Sequence, residues 1–206
     1  MSSKNMTVEK MIRVSMSKKL TLSLVITAVF HTGCAPLVIG TGIETALVAR
    51  DPRTSGTQLE DQLIAQRFSN RLSQAFKNND AIHVNATSYN RRLLLTGEVP
   101  DQNTSLQIAE IARKTDNVEH VFNELAIRLP SSFSDRSSDA LLTAKVKSTL
   151  LVNAPTLTDS LKLMTESGVV YLLGLATKEV TQEAVDHIRK ISGVKRVVIL
   201  VERNNG

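Results

Sequence analysis

The stretch Val84-Asn-Ala-Thr-Ser-Tyr-Asn-Arg-Arg-Leu-Leu-Leu-Thr-Gly97 aligns without a gap on Leu161-Lys-Leu-Met-Thr-Glu-Ser-Gly-Val-Val-Tyr-Leu-Leu-Gly174. The fold follows from reading this pair. In each copy two short runs with strand periodicity flank a polar break, Tyr89 to Arg92 in the first and Glu166 to Gly168 in the second. Such a pattern predicts a β-hairpin closed by a tight turn. Downstream, Ile108-Ala-Glu-Ile-Ala112 aligns on Ala184-Val-Asp-His-Ile188, and Val118 and Val121 match Val194 and Val197 after a one-residue loop difference. Each copy is then expected to end on a strand, Phe122 to Arg128 and Val198 to Arg203. Upstream, Ile64, Phe68, Leu72 and Phe76 in one copy, and Leu142, Val146 and Leu150 in the other, recur at the spacing of one buried helical face. The chain is therefore read as α+β, with two tandem α-β-β-α-β modules. Asp101 and Thr177 are placed to cap the second helix of each module, and Ser138 or Asp139 the helix that opens the second.

Composition limits what such a chain can do. It has 206 residues and no Trp, and aromatic residues make up only 3%, which argues against a stacking platform for single-stranded nucleic acid. The net charge of +5 is unevenly placed, since Lys4, Lys10, Arg13, Lys18 and Lys19 precede Cys34 against the single acid Glu9. From Cys34 onward the net charge is +1. A basic balance confined to the N-terminus, ahead of a secretion signal, does not describe a nucleic-acid binder.

The N-terminus reads as a targeting segment. Lys18-Lys19 is a positive start, Leu20 to Phe30 an apolar core, and His31-Thr32-Gly33-Cys34 a run of small residues ending in the sole cysteine. This resembles a bacterial lipoprotein signal, although His31 stands where Leu is usual. The resemblance implies cleavage before Cys34, with a diacylglyceryl group on its sulfur and an acyl chain such as palmitate on its new amine. Ala35 is not Asp, which implies sorting to the outer membrane. Residues 1–33 are thus expected to be the signal, with translation starting at Met16. A transmembrane anchor is the alternative, since no charge occurs from Leu20 to Ile43. His31, Gly33, Pro36, Gly40 and Gly42 weigh against it, and a free structural thiol at Cys34 remains a further alternative. The polar run that follows, punctuated by Pro52 and Gly56, reads as a tether. The expected division is a lipidated N-terminus and linker over 34–57, a first module over 58–128, a connector over 129–137 and a second module over 138–203.

The paired order of amphipathic helix, hairpin ending in Gly97 or Gly174, Ala-containing helix, and Asn117-Val118 or Gly193-Val194 before a last strand resembles the BON domain. From Met16 onward the chain is similar to dual BON-domain outer-membrane lipoproteins. The linker Asp51-Pro-Arg-Thr-Ser-Gly-Thr-Gln58, the run Thr143-Ala-Lys-Val-Lys147 and Gly193-Val-Lys-Arg-Val197 carry the likeness; Asn117 departs from it, because Gly is usual there. The resemblance implies a small three-stranded mixed sheet packed on two helices in each module. It also implies phospholipid binding at the inner face of the outer membrane and a role in envelope integrity. Cell division and the outer-membrane protein assembly machinery are further connections it suggests, and a monomer is expected.

The residues themselves offer no catalytic constellation. His31, His83, His120 and His187 stand at no metal-ligand spacing with another His, Cys or paired carboxylate, and neither a phosphate loop nor a nucleophile elbow occurs. The chain is expected to be no enzyme, with no metal and no cofactor beyond the lipid on Cys34. One surface carries a physical argument for function. On the helix expected from Ser138 to Leu151, Leu142, Val146 and Leu150 face the core, and Leu141, Lys145 and Ser148 adjoin them with Lys147 nearby. An exposed Leu beside ammonium groups suits an anionic phospholipid surface. Two alternatives stand against this: an ordinary solvated face with Leu141 packed on the first module, and a scaffold that docks onto another envelope protein.

Overall fold

The computed structural model describes residues 51–77 and 79–203. The expected signal, the lipidation site Cys34 and most of the tether lie outside them. Among the described residues no helix is long and apolar enough to cross a membrane. The first module runs α1 (Ser55–Ala75), β1 (His83–Tyr89), β2 (Arg92–Val99), α2 (Gln102–Arg113), β3 (His120–Asn123) and β4 (Ala126–Ile127). The second runs α3 (Phe133–Asn153), a short 3₁₀ turn, β5 (Leu161–Glu166), β6 (Val169–Ala176), α4 (Lys178–Ile188) and β7 (Arg196–Arg203). In each, an antiparallel hairpin is joined on its second strand by a parallel third strand, with β2 central in one sheet and β6 in the other.

Both hairpins turn through backbone that ordinary residues disfavour. Asn90 and Arg91 have φ of 49° and 59°, and Ser167 and Gly168 have 55° and 78°. Two successive positive φ values give a turn whose twist suits a hairpin, but at a conformational cost for any residue with a Cβ. One carboxylate per module holds that turn closed. Asp61, buried on α1, accepts from the backbone N–H of Asn90 and of Arg91 at 2.8 Å each, and from Ser88 Oγ at 2.6 Å. Asp139, at the same place on α3, accepts from the N–H of Ser167 at 2.6 Å and of Gly168 at 2.8 Å.

Asp139 is therefore not a helix cap, nor is Ser138. The cap of α3 is Ser132, whose hydroxyl accepts from Asp135 N while the Asp135 carboxylate accepts from Ser132 N, a reciprocal box. The helix thus starts inside the expected connector, and 129–132 alone are left to join the modules. Similarly α1 starts at Ser55, capped by Thr54 Oγ1, within the expected linker. Just before it, Arg53 bridges Asp51 and Asp61 at 2.6 Å each and stacks on Tyr89 at 3.8 Å. Asp101 and Thr177 cap α2 and α4 as expected.

The apolar stripes of α1 and α3 meet their sheets. Ile64 and Phe68 close over Leu93, Leu95 and Val99, while Val146 and Leu150 close over Val170 and Leu172. Because side chains alternate along a strand, Leu94, Tyr171 and Leu173 point the other way. There, with Tyr89, Phe122, Val198 and Leu200, they form a third core between the modules. The two sheets pack back to back, with helices outermost on both sides. Contacts at the rim add to this: Asn90 Nδ2 donates to Glu202 at 2.8 Å, Asn85 Nδ2 to Glu166 at 2.9 Å, and Arg128 bonds Ser167.

The final strand of the first module departs from expectation. It is not continuous from Phe122 to Arg128 but breaks between β3 and β4, where Asn123 turns its side chain to Ser105 Oγ (3.0 Å) and Glu124 N bonds Leu95 O (3.0 Å). Asn117 takes a left-handed φ of 65° where the second module has Gly193 at 103°, so the turn survives the substitution.

Glu98 is fully buried on β2 and ties this rim together, with His83 Nδ1 at 2.8 Å and Arg128 at 2.7 Å. Burial raises its pKa, but His83 and Arg128 outweigh burial and hold it below the ordinary carboxyl range. A carboxyl with a depressed folded-state pKa stabilises above its unfolded value and loses that contribution as pH falls through the folded one.

Two outcomes are expected. Asp61→Ala should lower unfolding free energy by about 2–4 kcal/mol in urea titration, since it leaves two turn amides without their acceptor and Arg53 with Asp51 as its remaining carboxylate; Asp139→Ala should cost less, having no arginine partner. Glu98→Gln should destabilise by roughly 1–3 kcal/mol at neutral pH. Its deficit against wild type should shrink below about pH 4, where the wild-type carboxyl also protonates.

Candidate membrane-facing surface

Helix α3 carries the surface. Its inner side is committed to the core by Asp139, Val146 and Leu150. At about 100° per residue, Leu141, Lys145, Ser148 and Val152 fall on one outward stripe. Leu141 is 72% exposed and Val152 81% exposed, so Leu141 does not pack against the first module. Back-to-back docking of the sheets is the reason, because it leaves the helices as the outer layers. Lys145 Nζ reaches the Ser192 carbonyl at 3.2 Å, which holds the ammonium beside the stripe without neutralising it. Ser148 and Thr149 hydroxyls both donate to the Lys145 carbonyl, at 3.0 and 2.8 Å, and are thereby folded back on the helix.

Lys147 is set apart from the other three. It lies about 120° round the helix from Leu141 and lines a separate groove of ≈ 410 Å³ with Leu151, Lys162 and Tyr89. On the other flank, Leu141 and Lys145 border a groove of ≈ 670 Å³ with Arg128, Leu129, Gly193 and Lys195. Leu129 is 80% exposed, and Lys195 Nζ donates to the Ser167 carbonyl at 3.1 Å. Val152 was open to sequence reading, since it continues the stripe of Leu141. Leu129 and Lys195 were not, because only the packing of connector, hairpin turn and last loop brings them to α3. Both pendant lysines rest on carbonyls, and among the described residues neither Lys145 nor Lys195 forms an ion pair.

The histidines fall into different surroundings. His120 meets Phe122 edge to face at 4.5 Å, and His187 lies near the end of α4. His83 corrects the reading from spacing alone. Cross-strand pairing sets it opposite Glu98, and module docking brings Glu166 alongside, so that ligand atoms of His83, Glu98 and Glu166 lie within 4.8 Å of one another. These types can hold a divalent cation. Here, however, one Glu98 oxygen is taken by Arg128 and the other by His83, while Glu166 accepts from Asn85 and Thr96. The group is a satisfied polar lock as it stands.

Comparison with known proteins agrees with this architecture. The BON domain profile matches twice, over residues 60–128 and 138–203. The chain is 38% identical over 181 residues, 88% of its length and 93% of the relative's, to outer membrane lipoprotein DolP of Haemophilus influenzae. It is 28% identical over 151 residues, 73% of its length and 78% of the relative's, to a 21 kDa hemolysin of Actinobacillus pleuropneumoniae. With two matched modules, each a mixed sheet on two helices, and a relative aligned over nearly its whole length, this chain belongs to the BON-domain family and carries the domain in tandem.

Proposed function

We propose that the chain is an outer-membrane lipoprotein, anchored through an N-acyl diacylglyceryl lipid on Cys34, whose second module binds anionic phospholipid and so supports envelope integrity. The likeness to an outer membrane lipoprotein supports the location. The observation that carries the lipid reading is Leu141, 72% exposed on the outermost layer beside Lys145.

An isolated apolar side chain on a soluble surface is common. What distinguishes this one is its company. Leu141 and Val152 project from one stripe, Leu129 stands across the adjoining groove, and Lys145 and Lys195, which form no ion pair among the described residues although Asp135 lines the same groove, flank them. Insertion of a leucine removes apolar area from water, and each ammonium near an anionic surface contributes about 1 kcal/mol. Such binding is weak for a free domain. A lipid on Cys34 would hold the module at high effective concentration above the bilayer, where weak contacts suffice. Lys147, on the far flank, would contribute long-range attraction rather than direct contact. The role is one of binding, and no step of it calls for catalysis.

Three measurements test this. In NMR titration of the protein from Ala35 onward, phosphatidylglycerol-containing micelles should shift amides of α3 and zwitterionic micelles should not; unchanged spectra with both would refute lipid recognition. Leu141→Asp should weaken cosedimentation with phosphatidylglycerol vesicles by about tenfold or more, and Lys145→Gln by about fivefold in a manner lost at high salt. Intact mass of membrane-extracted protein should match a chain starting at Cys34 plus three acyl chains, and Cys34→Ser should abolish that species. A mass retaining Leu20 to Gly33 without lipid would favour a transmembrane tether instead.

A further inference from the structure

At one rim of the layer between the modules, acid outweighs base. His83 and Glu98, paired across β1 and β2, meet Glu166 at the end of β5, with one ligand atom of each within 4.8 Å of the other two. Glu98 is fully buried and Glu166 is 8% exposed. Each residue of this lock has hydrogen-bond partners, but its charge is not balanced. Arg128 and His83 both sit on Glu98. Glu166 has neutral donors, Asn85 Nδ2 at 2.9 Å and Thr96 Oγ1 at 3.4 Å, both on Oε2. Among the described residues Glu166 forms no ion pair, and its Oε1 accepts no hydrogen bond. Two carboxylates buried this close repel through a medium that screens poorly. A proton on His83 would add its charge to Glu98, which already has Arg128, and leave Glu166 without one.

The donor set suits zinc. That ion takes imidazole nitrogen and carboxylate oxygen at about 2.0–2.2 Å, often from three side chains with water as the fourth ligand, so tetrahedral ligand atoms stand about 3.3 Å apart. His83 Nδ1 and Glu98 Oε2 are 2.8 Å apart, and an ion placed between them opens this contact by about half an ångström. Glu166 has at most about 1.5 Å to close, which rotation of its side chain provides. The supports are already in place. Arg128 holds Glu98 by its other oxygen at 2.7 Å, Ser131 Oγ donates to Oε2 at 3.3 Å, and Asn85 and Thr96 hold Glu166; outer contacts of this kind orient ligating carboxylates. Burial opposes the charge of Glu98, yet His83 and Arg128 keep its pKa below the ordinary carboxyl range, so this ligand is deprotonated beforehand. His83, 19% exposed, leaves the ion a way in from solvent.

We propose that His83, Glu98 and Glu166 form a zinc-binding site that clamps the two modules together. Two ligands come from the hairpin of the first module and the third from that of the second, so occupancy ties one docked sheet to the other. The repeat makes this site once, because the positions aligned with His83 and Glu98 in the second module are Ser160 and Leu175. An imidazole and two carboxylates disfavour magnesium and calcium, which call for about six or more oxygens. With zinc bound, the group carries one positive charge in excess. Arg128, its side chain 47% exposed, relieves that excess by turning outward, and so acts as the ion's competitor for Glu98.

The probe is zinc sulfate, titrated by calorimetry into chelator-treated protein from Ala35 onward. Saturation at one zinc per chain is expected, with no competition from magnesium. In the unaltered protein, zinc should shift the ring nitrogens of His83 in NMR and leave those of His120 and His187 in place. The thermal midpoint should rise with zinc. Glu166→Gln, which keeps an acceptor for Asn85 and Thr96, should weaken binding about tenfold or more and abolish that rise, while Leu141→Asp should leave zinc binding unchanged. Arg128→Gln should tighten binding several-fold, a gain that a purely structural ion pair does not predict. No saturable binding, shifts at His120 or His187 in place of His83, equal binding by Glu166→Gln, or an affinity that fails to rise in a folded Arg128→Gln would overturn the proposal.

Discussion

A carboxylate on the first helix of each module, closed over the hairpin turn, is the contact on which the architecture depends. Asp61 and Asp139 each accept two consecutive backbone N–H groups from a turn whose residues have positive φ. Those donors point away from the ladder, three of them part-buried and that of Gly168 buried, and the carboxylate supplies their acceptor. The bond also fixes the angle between helix and hairpin, since both ends are short and rigid. In the first module the same carboxylate recruits Arg53, which closes the tether's last residues onto Tyr89. Helix, turn and entry of the chain are thereby set by one buried charge.

With each hairpin held against its helix, the sheet has one free face, and the modules cover each other's. Leu94, Tyr171 and Leu173 are buried in the layer that the two sheets share. Small modules of this size bury too little alone for comfort, so the shared layer completes both. The arrangement has a functional consequence. It puts α3 on the outside, frees Leu141 and Val152, and among the described residues leaves β7 paired with β6 alone. The exposed stripe belongs to the second module, while the groove beside α3 also takes Arg128 from the first module and Leu129 from the connector.

The division of labour between the modules could not be seen in the repeat, which makes them look alike. The differences are small in sequence and large in consequence. Asn123 and Glu124 break one edge strand where Ile199 and Leu200 continue the other. Ser132-Phe-Ser-Asp135 extends α3 backward by more than a turn, which the polar look of the connector concealed. Asp139 has the sequence position of a helix cap, but its partner is a turn twenty-eight residues away, and no local pattern reports that.

The sequence by itself determined the modules: their number, element order, hairpin turns, two of the helix caps and the inward stripe of each opening helix. All of these rest on local periodicity and local hydrogen bonding, which are written in consecutive residues. Leu141, Lys145 and Ser148 were legible as one stripe for the same reason. Only the tertiary structure decided that Lys147 stands apart, that Leu129 and Lys195 join the groove beside α3, and that His83, Glu98 and Glu166 converge across the modules. Those relations depend on which face of each sheet is left over once its helices are packed, and on two such faces meeting. That is a matter of long-range docking, to which the spacing of residues along the chain gives no access.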